Sequence, residues 1–421
     1  MIPILPEGAA KPDAQASPAD AAHAGAAQAA QAWLKQGSLQ LRSLPPLSLY
    51  VHFPWCVRKC PYCDFNSHEA KNGIPEAEYL AALRRDLELA LPLIWGRPIH
   101  SVFIGGGTPS LLSAAGMERL MSDLRSLLPL APDVEITMEA NPGTFEAEKF
   151  AAFRQLGVNR LSIGVQSFDS AKLHALGRIH DGEQARAALE IASRHFDNFN
   201  LDLMFALPGQ SLAELQEDLA QALSWRPPHL SYYHLTLEPN TLFAKFPPDL
   251  PDDDLSADMQ ELIFAQTAAA GLAHYEVSAY ARPDCQARHN RNYWEFGDYL
   301  GIGPGAHSKL SFAHRIVRQM RYKQPQTWIT QCQAGAPLQQ EHEVGRDELG
   351  FEFMLNALRL EDGFALNLFA ERTGLPLSVI DAALQDAQRR GLLEVDHRWI
   401  KPSPLGKRFL NDLQQLFLHD A

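Results

Sequence analysis

Three of the five cysteines, Cys56, Cys60 and Cys63, fall within eight residues in the spacing C-x3-C-x2-C. They directly follow an apolar run, residues 47–53, that reads as a strand. Thiolates are soft ligands, and soft ligands select zinc or iron–sulfur clusters. A structural zinc site closes with four protein ligands, commonly in two separated pairs. Cys285 and Cys332 stand alone, so a zinc reading would need His52, Asp64 or His68 as the fourth donor. A 4Fe-4S cluster ordinarily takes four cysteines, and three leave one iron free to bind a small molecule.

Other polar and glycine groups recur at regular intervals. Strand-like runs at 47–53, 101–104, 134–138, 160–165, 200–205 and 230–237 alternate with helical patterns near 76–91, 111–128, 144–156, 182–195 and 211–224. Such alternation implies βαβ units and a parallel sheet. Six units fall short of the eight of a closed barrel, so the expected fold is α/β, an open six-strand partial (β/α)6 TIM-like barrel. The cysteine loop follows strand one and Gly105-Gly106-Gly107-Thr108-Pro109 follows strand two. Glu139 closes strand three, Gln166 and Ser167 close strand four, Asp202 lies in strand five, and Tyr233 with His234 lies in strand six. Parallel barrels place their sites at the C-terminal mouth, so these groups are expected to converge there.

Each group also has a plain structural reading. The glycine run could be a tight turn before a helix. It is not a Walker loop, because no Gly-Lys-Ser/Thr follows; its chemical use would be close backbone approach to a ligand. Glu139 could be a helix-start carboxylate and Asp202 a paired core edge, whereas ribose hydroxyls would be well served by short acceptors in such a mouth. Arg178 could decorate a helix end or neutralise a ligand carboxylate.

After residue 237 the alternation ends in a Pro- and Asp-rich loop at 247–254, a helix near 257–270 and a strand-like run at 274–280. Cys285-Gln286-Ala287-Arg288-His289-Asn290-Arg291-Asn292-Tyr293-Trp294 then combines an imidazole, two guanidinium groups and two aromatic rings. That set could grip a porphyrin, with His289 as axial ligand, Tyr293 and Trp294 against the ring, and Arg288 and Arg291 toward propionates. Cys285 and His307 are fallback ligands, and the bland alternative is a satisfied turn with core aromatics. Residues 341–421 read as a separate small α+β domain: helices near 347–358, 365–373 and 377–390, a hairpin pairing 392–394 with 399–401, and a closing helix at 405–418. Helices followed by a wing resemble a winged-helix arrangement. Asp381 and Asp386 on the would-be recognition helix argue against DNA, leaving a lid or docking module.

The domain reading is therefore a disordered Ala/Pro-rich tail over 1–45, the barrel over 46–240, an extension carrying the His289 motif over 241–340, and the winged-helix-like domain over 341–421. Residues 21–34 of the tail could form a transient helix. The 421 residues hold 37 basic and 50 acidic side chains, a net charge of −13, which argues against a nucleic-acid footprint. An odd cysteine count with three clustered points to a reducing compartment. No apolar run reaches spanning length, and the N-terminus lacks the basic and apolar regions of a signal peptide, so the cytoplasm is the expected location.

The C-x3-C-x2-C spacing is that of radical S-adenosylmethionine (SAM) proteins. In that superfamily SAM chelates the open iron through its amino and carboxylate groups, and reduction of the cluster cleaves it to a 5′-deoxyadenosyl radical. From about Pro45 to the C-terminus the motifs resemble the oxygen-independent coproporphyrinogen III oxidase family. The oxidase carries a further cysteine two residues after the third, where this chain has Phe65. With His289-Asn290-x-x-Tyr293-Trp294, that difference resembles the family's heme chaperone branch. The resemblance implies that Cys56, Cys60 and Cys63 hold the cluster and that Tyr50, Gly106 and Glu139 contact the bound SAM. Gly107, Thr108, Gln166, Arg178 and Asp202 match contacts to a second SAM in the oxidase. Tyr62, Tyr233 and His307 fall at further SAM-contact positions, with side chains that differ from the oxidase's. It implies heme as cargo, a heme-acceptor protein as partner, and an electron donor such as flavodoxin or ferredoxin. The alternative is the oxidase reaction itself, radical decarboxylation of two propionates.

Overall fold

The structure is a computed structural model in which residues 39–418, apart from 72 and 145, are described. The helix expected at 21–34 lies outside the described residues. Six parallel strands build the barrel wall: β1 (Leu47–Phe53), β2 (Ile99–Gly106), β3 (Leu130–Ala140), β4 (Arg160–Gln166), β5 (Phe199–Phe205) and β6 (His229–His234). They neighbour one another in chain order, all in parallel register. Helices α1 (Glu76–Ala90), α2 (Ala114–Leu127), α3 (Ala147–Leu156), α4 (Gly182–His195) and α5 (Leu212–Ser224) connect them. Their starts are written locally. Ser113 caps α2, and reciprocal capping boxes, Asp181 with Gln184 and Ser211 with Glu214, open α4 and α5.

Alternation along each strand separates two environments. In β1, Leu47, Leu49, Val51 and Phe53 join the main apolar core with helix residues such as Tyr79, Leu83 and Met117. The intervening Ser48, Tyr50 and His52 take the other face, and register places Ser48 beside Ser101 and Tyr50 beside Phe103. The inner face is thus polar, in contrast to the apolar inner faces usual where parallel strands are buried on both sides.

The sheet exceeds the six strands expected. After helix α6 (Asp253–Ala269), the run read as one strand at 274–280 is a hairpin, β7 (Ala273–Glu276) and β8 (Ala279–Ala281). The turn forms because the Glu276 carboxylate accepts from the Ser278 N–H at 3.3 Å, which reverses the chain, and β8 then pairs antiparallel with β6. A short helix, α7 (Arg288–Trp294), leads to β9 (Asp298–Ile302), a seventh parallel strand on the free edge of β1. Then β10 (His307–Phe312), β11 (Arg315–Arg321), helix α8 (Pro325–Gln333) and β12 (Leu338–Glu343) extend that edge, giving the order β12-β11-β10-β9-β1-β2-β3-β4-β5-β6-β8-β7.

Two buried charge clusters lock this extension to the barrel. Asp298, fully buried, pairs with Lys309 at 3.0 Å and Arg97 at 2.8 Å. Asp86 of α1 accepts from the Gly303 N–H at 3.0 Å, Trp328 Nε1 at 3.2 Å and Arg321 Nε at 3.3 Å. Each buried carboxylate is thereby paired and hydrogen-bonded, the condition under which burial of charge is tolerable.

The C-terminal part has its own apolar core. Helices α9 (Leu349–Ala357), α10 (Leu366–Thr373) and α11 (Asp381–Arg389) pack with a three-stranded sheet of β13 (Phe364–Ala365), β14 (Leu393–Val395) and β15 (Trp399–Pro402), ordered β13-β15-β14. Phe353 sits at its centre, edge-on to Phe364 and Phe369 at 5.1 Å each. The expected tail boundary at residue 45 needs correction. Leu39 and Leu41 are buried in this core, and their N–H groups bond to the carbonyls of His314 and Ala313. Two leucines spaced by one residue suffice to seat the segment as an extended strap.

Candidate functional site

The cysteine loop leaves β1 and is held by backbone bonds. Gly107 N–H donates to Phe53 O at 2.6 Å, Thr108 N–H to Trp55 O at 2.8 Å, and Phe243 N–H to Pro61 O at 3.1 Å. Two of these come from the end of β2, and they require glycine. A Cβ on Gly107 would lie 2.5 Å from Trp55 O. Gly106 has φ +114°, and a Cβ there would lie 2.5 Å from the His52 ring. The Gly-Gly-Gly run is thus the seam between β2 and the cysteine loop. All three cysteines of the motif are free, partly exposed thiols, whereas Cys332 is buried in α8.

Around this loop the strand ends supply polar groups. Glu139 Oε2 accepts from the Gly106 N–H at 2.9 Å, and burial pushes its carboxyl pKa up to about 7 against that bond. Asp202, its pKa also raised by burial, accepts from Ser162 Oγ at 2.7 Å and Asn200 Nδ2 at 2.8 Å. Arg178 donates through Nη2 to Gly164 O at 2.8 Å and points Nη1 at Cys60 Sγ, 3.7 Å away. Its Nε is buried without a hydrogen-bond partner. Gln166 takes a positive φ of 66°, rare for a side chain of its size and common where strain serves a site.

These groups line one cavity of ≈390 Å³ at the barrel mouth. It brings together Cys56, Cys60, Cys63, Tyr62, Gly106, Gly107, Thr108, Glu139, Gln166, Arg178, Asp202 and Tyr233. Tyr50 and His307 line an adjoining cavity of ≈580 Å³, which shares Cys63, Phe65, Gly106 and Glu139 with the first. Sequence reasoning missed Asn66 and Tyr299 in this second space. Asn66 Nδ2 donates to the carbonyls of Pro304 at 2.9 Å and Lys323 at 2.8 Å, tying the cysteine loop to the extension. Its one signal was a polar amide three residues after the last cysteine.

His289 is the residue the structure places elsewhere. It is 3% exposed and lines neither cavity. Its N–H and that of Arg288 approach the Glu135 carboxylate, both at 3.3 Å, and Nδ1 meets Ser101 Oγ at 3.1 Å. The ring packs 5.0 Å from Phe103 and 5.1 Å from Tyr293. Helix α7 is therefore a plug in the barrel interior, and a flat macrocycle cannot reach the imidazole without unseating it. Arg288 and Arg291, expected to face propionates, pair instead with Asp133 at 2.8 Å and Glu295 at 2.6 Å. Trp294 lies under Arg359, 4.2 Å from its guanidinium. An amphipathic helix that must fill a polar barrel looks, in sequence, like one that grips a ligand.

A partial parallel barrel whose mouth gathers three free thiols in C-x3-C-x2-C spacing, with a glycine seam and polar strand ends beside them, defines a radical SAM protein. Residues 50–222 match the radical SAM superfamily and residues 344–409 match the HemN C-terminal domain. The chain is 48% identical over 377 residues to the heme chaperone HemW of Escherichia coli K12, covering 89% of this chain and 99% of that one. It is 45% identical to the heme chaperone HemW of Haemophilus influenzae, covering 89% and 98%. Among solved structures it resembles the coproporphyrinogen III oxidase HemN of Escherichia coli, a radical SAM enzyme, with TM-score 0.77, 25% identity and coverage of 89% and 90%. The chain belongs to the heme chaperone HemW family, within the oxygen-independent coproporphyrinogen III oxidase-like radical SAM proteins.

Proposed function

We propose that this protein binds heme and delivers it to acceptor proteins, and that it carries a 4Fe-4S cluster on Cys56, Cys60 and Cys63 with exchangeable SAM at the open iron. The observation that carries the reading is Phe65. The loop presents three thiols to the cavity, and the position of the oxidase's fourth cysteine is a phenyl ring, 59% exposed, between the two cavities.

The donor set fits the cofactors. Among the described residues no three His, Cys, Asp or Glu side chains converge on a point suited to a single metal ion, so the thiols suit a larger group that spans them better than one zinc. The partnerless Nε of Arg178 beside Cys60 supplies a buried cation for an anionic cluster or a ligand carboxylate. Tyr50, Gly106 and Glu139 would serve the SAM at the cluster, Gly106 through its backbone and Glu139 as acceptor. Gly107, Thr108, Gln166, Arg178 and Asp202, with Tyr62, Tyr233 and His307 near them, would serve further SAM contacts. When bound, the cluster supplies an electron to the SAM sulfonium, and a flavodoxin- or ferredoxin-type protein is the fitting donor. Among the described residues no helix is long and apolar enough to cross a membrane, and cluster chemistry suits the reducing cytoplasm.

The gathering of Gly107, Thr108, Gln166, Arg178 and Asp202 in one cavity favours, as second reading, the oxidase reaction. One anaerobic experiment separates them. The reconstituted protein with SAM and reductant is assayed for coproporphyrinogen III consumption beside a heme titration. Stoichiometric heme uptake without turnover is expected; turnover without heme uptake overturns the carrier reading.

A further inference from the structure

The ≈580 Å³ cavity lies between the cysteine loop and the wall formed by β9, β10 and the chain after β11. Three imidazoles face it, and two are committed. His52 Nδ1 meets Tyr50 OH and Nε2 meets Asn66 O, both at 2.9 Å. His68 Nε2 meets Asn66 Oδ1 at 3.3 Å. His307, the first residue of β10, is exposed to the cavity, and among the described residues its ring makes no hydrogen bond or ion pair. The stacked pair Tyr293 and Tyr299, centroids 4.2 Å apart, also reaches this space.

The lip is cationic. Lys323 is exposed and in no ion pair, and the Lys59 ammonium reaches only the Phe65 carbonyl, at 3.1 Å. In a chain of net charge −13, two lysines without acidic partners on one lip favour an anionic ligand. Phe65, exposed and shared with the cluster cavity, adds an apolar face. An uncommitted imidazole, aromatic walls and a pair of cations are the complement of a metalloporphyrin: an iron with an open axial position, a flat apolar ring and two carboxylates.

We infer that this cavity seats the heme, with His307 as axial ligand and Lys59 and Lys323 meeting the propionates, in place of the buried His289. The inference rests on the heme-carrier reading and locates its cargo. It also sets the heme edge beside the loop that carries Cys63, so that cargo and cofactor share one wall.

The test uses the full chain, reconstituted anaerobically with iron and sulfide, and hemin as probe. Heme retained after gel filtration is measured as the pyridine hemochrome, free of cluster absorbance, and its coordination by resonance Raman or electron paramagnetic resonance. His307→Ala should weaken hemin binding at least tenfold and lose the histidine-ligated signature, with iron and sulfide content unchanged. His289→Phe, which keeps a buried ring, should retain that signature. Lys59→Glu with Lys323→Glu should weaken hemin several-fold and leave hemin dimethyl ester unaffected. A His307→Ala protein that binds hemin with wild-type affinity and spectrum, or loss of the signature in His289→Phe alone, overturns the assignment. If His307→Ala fails to fold, equal response of hemin and its ester to the lysine substitutions does so. Failure of the wild-type protein to retain hemin overturns the carrier reading with it.

Discussion

Gly106→Ala tests the seam on which the site is built. Gly106 has φ +114°, and an added Cβ would lie 2.5, 2.6 and 2.9 Å from three atoms of the His52 ring. The ring cannot simply step aside, because it is 5% exposed and both nitrogens are bonded, to Tyr50 OH and Asn66 O. The backbone conformation alone costs a non-glycine residue about 1–3 kcal/mol. Displacing His52 adds roughly 1 kcal/mol for each bond lost. The sum, about 3–5 kcal/mol, falls on the conformation that presents Gly106 and Glu139 to the cavity. If SAM binds only that conformation, its affinity should drop on the order of 10²–10³-fold, at about 1.4 kcal/mol per factor of ten. The assay is an anaerobic SAM titration of cluster-loaded protein. Gly209→Ala is the control: its φ is +57°, yet nothing lies within 4 Å of the added Cβ. SAM affinity should be unchanged there. A Gly106→Ala protein within threefold of wild type, or an equal loss in Gly209→Ala, refutes the seam.

Cys60→Ser should abolish stable cluster incorporation, read as iron and sulfide per chain, while Cys332→Ser in buried α8 should leave that content intact. Asp86→Ala strands the fully buried Arg321 and the Trp328 N–H, and should cost about 3–5 kcal/mol in denaturant unfolding. Because Asp86 also holds the Gly303 N–H, limited proteolysis should cut the extension sooner in this variant. Glu139 has its pKa raised to about 7, so between its ordinary value of 4.5 and 7 the folded chain keeps a proton that the unfolded chain releases. Stability of the cluster-free protein should therefore decline as pH rises through that window and level off above it, by ~3 kcal/mol at most. Glu139→Gln should flatten this slope; an unchanged slope would show the carboxyl to be ordinary.

The His289 motif shows where pattern and structure part. An imidazole, two arginines and two aromatics one helical turn apart read as a porphyrin grip, yet the same residue types plug a polar barrel. Nothing along the chain says that Glu135, some 150 residues earlier, waits beneath the two N–H groups that open α7. The strap of Leu39 and Leu41 was hidden for a similar reason. Its apolar content is too small to announce itself beside an Ala-rich tail, and its partner core lies at the other end of the chain.

Local chemistry was written plainly: thiol spacing, the glycine run, capping boxes and period-two alternation each depend on residues close in sequence, so the barrel and the members of its mouth were legible. Their convergence into one cavity follows from parallel topology, which puts every strand end at the same rim. The seventh strand β9, interrupted by glycines, forms only because β1 offers a free edge and because Asp298 finds Lys309 and Arg97. That docking creates the second cavity and leaves His307, not His289, facing it. Which of several similar side chains is open and which is buried is decided by long-range packing, and no spacing along the chain encodes it.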